Sequence, residues 1–172
     1  RLSWLYAIGD IVPGPQLAHV ASAEGIVCVE GIAGHETRPL DYGKIPSATY
    51  TRPEVASVGL TESQAQEAGH AVAVGRFPWA ALGKAAIQGE ADGFVKIVAE
   101  EKYGELLGVH IVGPHATDLI GEACVALQCE ATVEELFRTV HAHPTLSEAL
   151  MEAAHGVFEN PIHLPPQRKR RS

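Results

Sequence analysis

The stretch GFVKIVAEEKYGELLGVHIVG, residues 93–113, decides the fold class of this chain. Two runs rich in valine, isoleucine and leucine, at residues 93–100 and 106–113, are separated by the polar turn EKYGE. Runs of this length and composition are typical of β-strands. Because so short a connection joins strands that run in opposite directions, the stretch predicts a hairpin within an antiparallel sheet.

Three further runs of this kind precede the hairpin and extend the predicted sheet: SATYT at residues 47–51, VASVGL at 55–60 and AVAVGRF at 71–77. The strands are followed by helical segments instead of alternating strictly with them. This order indicates the α+β class, with an antiparallel sheet flanked by helices. We place this domain at residues 44–163.

The helices are predicted from apolar spacing and from caps. Residues 116–129 present one apolar face, made of Leu119, Ile120, Ala123, Cys124 and Leu127. Capping boxes, in which a threonine and the acid or amide three residues later bond each other's backbone N–H, mark three helix starts. They are Thr61 with Gln64, Thr132 with Glu135, and Thr145 with Glu148.

The first forty residues have a different pattern. The apolar run WLYAI, residues 4–8, is typical of a buried strand, and residues 15–32 have helical spacing with a proline in the first position. One strand and one helix cannot enclose a core, so we expect residues 1–39 to be a strand–helix remnant of another domain, cut from a longer protein. The polar segment 34–46 is the expected boundary.

Composition argues against several functional classes. The 13 lysine and arginine residues against 21 aspartate and glutamate residues give a net charge of −8, which disfavours nucleic acid as a partner. No apolar stretch approaches the ~20 residues needed to cross a bilayer, so we expect a soluble protein without a membrane partner. Residues 164–172 contain the basic run RKRR and are expected to form a disordered tail.

Three cysteines, Cys28, Cys124 and Cys129, are too few for a disulfide scaffold. Cys124 and Cys129 have a C-x4-C spacing, but both fall on the predicted helix of residues 116–129. Five residues of helix turn the chain by roughly 500°, so the two side chains diverge by ~140° and do not meet. We therefore interpret Cys124 as a small buried apolar residue.

The octapeptide HAHPTLSE, residues 141–148, is the candidate site. A histidine such as His143 suits proton transfer, because its ordinary pKa of ~6.5 lets it gain and lose a proton near neutral pH. Glu148 has a simple alternative role as the third residue of the helix that Thr145 caps. A metal site built from His141, His143 and Glu148 is a weaker alternative, since an H-x-H pattern alone has little specificity, and we predict no metal.

This octapeptide resembles the C-terminal motif of the pyridine nucleotide-disulfide oxidoreductases. Three other stretches agree with that family in order and spacing: YAIGDIVPGPQLAHVASAEG at residues 6–25, IPSATYTRPEVASVGLTE at 45–62 and LLGVHIVGPHATDLIGEA at 106–123. Within the family, the match is nearer to the enzymes that oxidise dihydrolipoamide than to those of the glutathione reductase type. The resemblance implies the end of an FAD domain followed by a complete interface domain.

The resemblance also implies roles for the candidate residues. His143 would be the general base that takes a proton from a dithiol substrate, and Glu148 would orient its ring and stabilise its charge. The redox cysteines that this base serves would belong to the other subunit of a homodimer. Cys124 and Cys129 do not match the glycine-rich setting of those cysteines.

For the cofactors, the resemblance implies that Asp10 hydrogen-bonds the ribitol of FAD. A helix whose N-terminus faces the flavin would begin with Leu17, Ala18 and His19. The chain contains no G-x-G-x-x-G fingerprint, however. We therefore assign FAD and NAD to the full-length protein and expect neither to bind this chain by itself.

The function implied by the resemblance is electron transfer from dihydrolipoamide, through a redox disulfide and FAD, to NAD. The dihydrolipoamide would belong to a 2-oxo acid dehydrogenase or glycine-cleavage complex, in the bacterial cytoplasm or the mitochondrial matrix. As a fragment, the chain would be inactive alone but would supply His143, Glu148 and the homodimer surface. The alternatives are a free-standing, non-catalytic dimerisation module and a disulfide reductase of the glutathione reductase type.

Overall fold

A computed structural model describes residues 4–158 and 161–165 of the chain. It divides the chain into two compact units, residues 1–45 and residues 46–172. The basic run RKRR, predicted to lie in a disordered tail, falls outside the described residues. No helix within the described ranges has the length and apolarity needed to span a membrane.

The first unit is built around the helix α1, Ala18–Ile32. The helix begins after Leu17 and not at Pro15, whose carbonyl instead accepts a hydrogen bond from the Leu17 N–H at 3.0 Å. The strand predicted for residues 4–8 is wrong, because this run is irregular and its large side chains are exposed. A strand needs a neighbouring strand to satisfy its backbone groups, and the described part of this unit contains none.

Glu24 of α1 connects the separate parts of this unit. Its carboxylate accepts hydrogen bonds from the Gly9 N–H and from the Tyr42 hydroxyl, both at 2.6 Å. The bond from Tyr42, followed by that from Gly9, lowers the pKa of Glu24 below its usual range. The short 3-10 turns Gly9–Ile11 and Tyr42–Lys44 are thereby both attached to α1.

The second unit contains the predicted antiparallel sheet, and the α+β class is confirmed. Its five strands are β1 (Ser47–Thr49), β2 (Glu54–Gly59), β3 (Val72–Pro78), β4 (Phe94–Glu100) and β5 (Leu106–Gly113). Their order across the sheet is β1-β2-β5-β4-β3, and every neighbouring pair is antiparallel. The hairpin of β4 and β5 lies inside the sheet, so the stretch that predicts the fold class also forms its centre.

Helices cover this sheet: α2 (Glu62–Glu67), α3 (Gly83–Gln88), α4 (Ala116–Gln128), α5 (Val133–Arg138) and α6 (Glu148–Val157). α4 packs on β2 and β5, while α6 packs on β3 and β4 and against α5. Trp79, fully buried, donates its indole N–H to the Val112 carbonyl at 2.7 Å. The capping boxes predicted at Thr61 and Thr132 are both formed.

α6 approaches β3 at a glycine. A Cβ added to Gly75 would collide with the backbone oxygen of Ala153 and lie 2.6 Å from the backbone nitrogen of Val157. Both atoms belong to the helix backbone and cannot move aside without moving α6. Gly75 therefore sets how close α6 lies to the sheet.

We predict that Gly75→Ala destabilises the protein by about 2 kcal/mol or more, because overpacking forces the backbone apart. The control is Gly83→Ala at the start of α3, where an added Cβ meets no atom within 4 Å. This control should change stability by less than about 1 kcal/mol. Urea unfolding of both variants measures the difference, and equal midpoints would contradict the close approach.

Candidate active site

The candidate residues lie in the segment of residues 139–147, between α5 and α6. Leu146 anchors the end of this segment in the core, where it is 8% exposed. The Thr145 hydroxyl donates to the Ala142 carbonyl at 2.6 Å and lies 2.9 Å from the Ser147 hydroxyl. The His143–Pro144 peptide bond is cis. The burial of Leu146 and the contacts of the Thr145 hydroxyl hold the segment in an irregular but defined conformation.

His143 pairs with Glu148 across the start of α6. Nδ1 of the ring lies 2.9 Å from Oε1 of the carboxylate, and the side chains of His143 and Glu148 are 78% and 12% exposed respectively. A carboxylate accepts, so Nδ1 carries the proton and the lone pair of the neutral ring is on Nε2. The exposed ring of His143 thus has a free lone pair on Nε2, and its bond to Glu148 fixes the orientation of the ring.

Glu148 also makes one of the two hydrogen bonds expected of a capping box with Thr145. Its second oxygen, Oε2, accepts the backbone N–H of Thr145 at 2.8 Å. The two roles do not compete, because each uses a different oxygen of one carboxylate. The complete capping box predicted at Thr145 is wrong, however: the helix starts at Glu148 after Ser147, and the Thr145 hydroxyl bonds other partners.

The surroundings of Glu148 favour its charged form. Burial raises the pKa of this carboxyl, but the hydrogen bonds from Thr145 and His143 and the charges of His143 and His163 lower it, and the net pKa lies below the usual value. A depressed pKa means that the carboxylate stabilises the fold above the ordinary glutamate pKa of ~4.3. This contribution is lost as the pH falls through the lower folded-state value.

His141 does not share a site with His143. Its side chain is 5% exposed, and its two ring nitrogens lie 2.9 Å from the Thr139 carbonyl oxygen and 2.8 Å from Oε1 of Glu122. Within the described ranges, no group of three or more histidine, cysteine, aspartate or glutamate side chains is placed to hold a metal ion. His141 therefore forms a separate, buried pair with Glu122 of α4.

A second histidine–carboxylate pair lies one turn further along α6. Glu152 is fully buried and accepts bonds from the N–H groups of Ile162 and His163, at 2.9 and 3.2 Å, and from Nδ1 of His163 at 2.7 Å. Sequence reasoning misses both Glu152 and Glu122. Glu152 could have been found from its spacing, because it lies four residues after Glu148 on the same helix.

The cofactor candidates lie in the first unit. Asp10 is exposed within the 3-10 turn Gly9–Ile11. α1 begins with Ala18 and His19, both exposed, and its N-cap residue Leu17 provides no side-chain cap. An exposed carboxylate and a helix start without a side-chain cap fit a ligand that offers hydroxyl donors and partial negative charge.

The three cysteines are free thiols. Cys124 is half-buried on α4, where it packs against the core, and Cys129 is exposed at the end of that helix. Burial raises the pKa of the Cys124 thiol. The apolar role predicted for Cys124 agrees with this placement.

Comparison with known families identifies the second unit. The model of the pyridine nucleotide-disulphide oxidoreductase dimerisation domain matches residues 45–154. The chain belongs to this family. The matched range includes all five strands of the sheet and reaches into α6, so it contains both His143 and Glu148.

Several curated relatives are dihydrolipoyl dehydrogenases. The chain is 53% identical over 161 residues to that of Bacillus subtilis, covering 94% of the chain and 34% of the relative. It is 50% identical over 164 residues to the mitochondrial dihydrolipoyl dehydrogenase of Pisum sativum, covering 95% of the chain and 32% of the relative. The chain thus spans about a third of the length of the curated relatives it matches.

Two solved structures have a similar fold. LpdA from Mycobacterium tuberculosis superposes with a TM-score of 0.82 at 32% identity, over 87% of the chain and 33% of that structure. The HOCl-induced flavoprotein disulfide reductase RclA from Escherichia coli superposes with a TM-score of 0.79 at 22% identity. The match covers 87% of the chain and 34% of that structure. At that identity, RclA supports the fold alone.

We predict that Glu152→Gln destabilises the protein by about 1–3 kcal/mol, because a buried carboxylate loses charge-assisted hydrogen bonds to the residues that follow α6. The control is Glu67→Gln, which removes the same charge at an exposed position at the end of α2. Thermal unfolding of both variants compares them. Equal melting temperatures would show that the Glu152 bonds do not stabilise the fold.

We also predict that thiol titration of the native chain gives three thiols before and after reduction, since none of the cysteines is paired. Cys124 should react more slowly than Cys129, because its raised pKa leaves less thiolate at neutral pH. The Cys124→Ala variant shows which kinetic phase of the thiol reaction belongs to Cys124, because that phase should be missing. A count that rises by two on reduction would contradict the free state of these cysteines.

Proposed function

We propose that this chain acts as the C-terminal third of a dihydrolipoyl dehydrogenase, in which it supplies the histidine–glutamate pair of the active site and the surface of the homodimer. The observation that carries the proposal is the bond of His143 to Glu148, which leaves a basic nitrogen on an exposed ring. The relatives that bear this name, at about 50% identity over nearly the whole chain, support the choice of activity.

His143 is the general base in this proposal. Its Nε2 takes the proton of a dihydrolipoamide thiol, so that the sulfur becomes a thiolate and the ring becomes an imidazolium. Glu148, charged at neutral pH, stabilises the imidazolium through its bond to Nδ1. The redox disulfide that the thiolate attacks would belong to the partner subunit, and the 78% exposure of the His143 side chain leaves its ring accessible to such a group.

FAD and NAD are assigned to the whole enzyme, and bound FAD would supply the two-electron chemistry between the disulfide and NAD. Within this chain, the Asp10 carboxylate would accept a hydrogen bond from a ribitol hydroxyl. Leu17, Ala18 and His19 would place the positive end of α1 against the flavin, where it favours negative charge on the ring. The rest of the FAD site would be provided by polypeptide outside this chain.

The proposed domain assignment follows from these roles. Residues 1–39 belong to the FAD domain, and residues 44–163 form the interface domain. The dithiol substrate would be carried by a 2-oxo acid dehydrogenase or glycine-cleavage complex, in the bacterial cytoplasm or the mitochondrial matrix. The separate core of the second unit supports one alternative, a dimerisation module without catalysis.

The test uses the full-length protein that contains this chain. We predict that His143→Gln lowers dihydrolipoamide-dependent reduction of NAD by about 10²- to 10⁴-fold, the usual contribution of a general base. Glu148→Gln keeps an acceptor for the Thr145 N–H but loses the charge, so we expect a smaller loss of about 10- to 100-fold.

The control for both variants is His35→Gln, an exposed histidine of the first unit outside the candidate site. It should leave the steady-state rate unchanged. Full activity of His143→Gln would refute the proposed base, and an inactive wild-type protein that still dimerises would favour the non-catalytic module. Full activity of Glu148→Gln would refute the orienting role alone.

A further inference from the structure

His141 and His143 are two residues apart in one segment, yet their surroundings are opposite. The side chain of His143 is 78% exposed, whereas that of His141 is 5% exposed. Burial of a ring that carries two polar nitrogens is costly unless both nitrogens find partners. The proposed function uses His143 and gives no role to His141.

Both nitrogens of His141 have partners that accept hydrogen bonds. The Thr139 carbonyl oxygen, 2.9 Å from Nδ1, can only accept, and Oε1 of the Glu122 carboxylate lies 2.8 Å from Nε2. The ring of His141 therefore lies between a carbonyl oxygen and a carboxylate, each within hydrogen-bond distance of one ring nitrogen. Charge-assisted bonds to a carboxylate are shorter and stronger than bonds between neutral groups.

One of these partners lies on a helix and the other directly follows one. Glu122 is on α4, between the buried residues Ile120 and Ala123, so its backbone is fixed against the sheet. Thr139 is the C-cap residue of α5. The ring of His141 therefore fastens the start of the segment to α4, while Leu146 anchors its end in the core.

His143 lies between these two anchors. Each histidine of the segment has its own carboxylate, from α4 for His141 and from α6 for His143. This division leaves Glu148 free to bond the ring of His143 and the Thr145 N–H at the same time.

We propose that His141 and Glu122 are a positioning pair, which fixes the segment so that the exposed ring of His143 keeps its bond to Glu148. The proposal rests on the proposed function, since it concerns how the general base is held. Neither residue touches the substrate in this scheme, and the loss of either acts through the position of His143.

The test compares Glu122→Gln with Asp118→Asn in this chain. Both substitutions exchange a carboxylate for an amide on α4, one turn apart, but Asp118 is 82% exposed and pairs with the exposed ring of His115. The readouts are hydrogen exchange of the Thr145 amide, which bonds Glu148, and the ring signals of His143 in long-range ¹H–¹⁵N spectra.

We expect Glu122→Gln to accelerate exchange of the Thr145 amide by about tenfold and to shift the His143 ring signals, because a charge-assisted bond is lost. Amides of the central strand β5, such as those of Val109 and Ile111, should keep their wild-type rates. Asp118→Asn should leave all of these signals unchanged. Equal effects of the two variants, or equal acceleration in β5, would overturn the positioning role.

The same two variants in the full-length protein separate this inference from the proposed function. A positioning role predicts that Glu122→Gln lowers kcat about tenfold with little change in the KM for dihydrolipoamide. If His143→Gln is inactive but Glu122→Gln behaves as Asp118→Asn does, only the present inference fails. If His143→Gln stays active, the proposed function fails, and the exchange data still decide whether the pair holds the segment.

Discussion

The packing of α6 on the sheet is the constraint on which the rest of the structure depends. Gly75 of β3 lets the helix backbone come closer than any side chain would allow. The helix buries Ala149, Leu150, Ala153, Ala154 and Val157 against the core. Because these apolar positions fix both the depth and the rotation of the helix, they also fix where the side chains of Glu148 and Glu152 leave it.

Carboxylates from the two long helices of the second unit then organise the histidines. Glu122 of α4 holds His141, Glu148 of α6 holds His143, and Glu152 holds His163. What differs among these pairs is burial: the rings of His143 and His163 are largely exposed, and that of His141 is not. Similar hydrogen bonds therefore serve different purposes, since only an exposed ring can exchange a proton with a substrate.

Sequence patterns predicted most of the second unit because its signals are local. Alternating apolar runs and short turns define strands, and a threonine three residues before a glutamine or glutamate defines a cap at Thr61 and Thr132. The same pattern failed in part at Thr145, where Glu148 has a second partner and the threonine hydroxyl turns to Ala142. The apolar run at residues 4–8 failed as a strand because a strand depends on a neighbour.

For this protein, the sequence by itself determined the α+β class, the five strands, the two capping boxes and the octapeptide that contains His143 and Glu148. Only the tertiary structure decided that one carboxylate bonds both the Thr145 N–H and the His143 ring, and that His141 faces Glu122 instead of His143. The reason is that periodicity and capping act within a few residues, whereas Glu122 and His141 are 19 residues apart and meet only once α4 and the 139–147 segment are packed together.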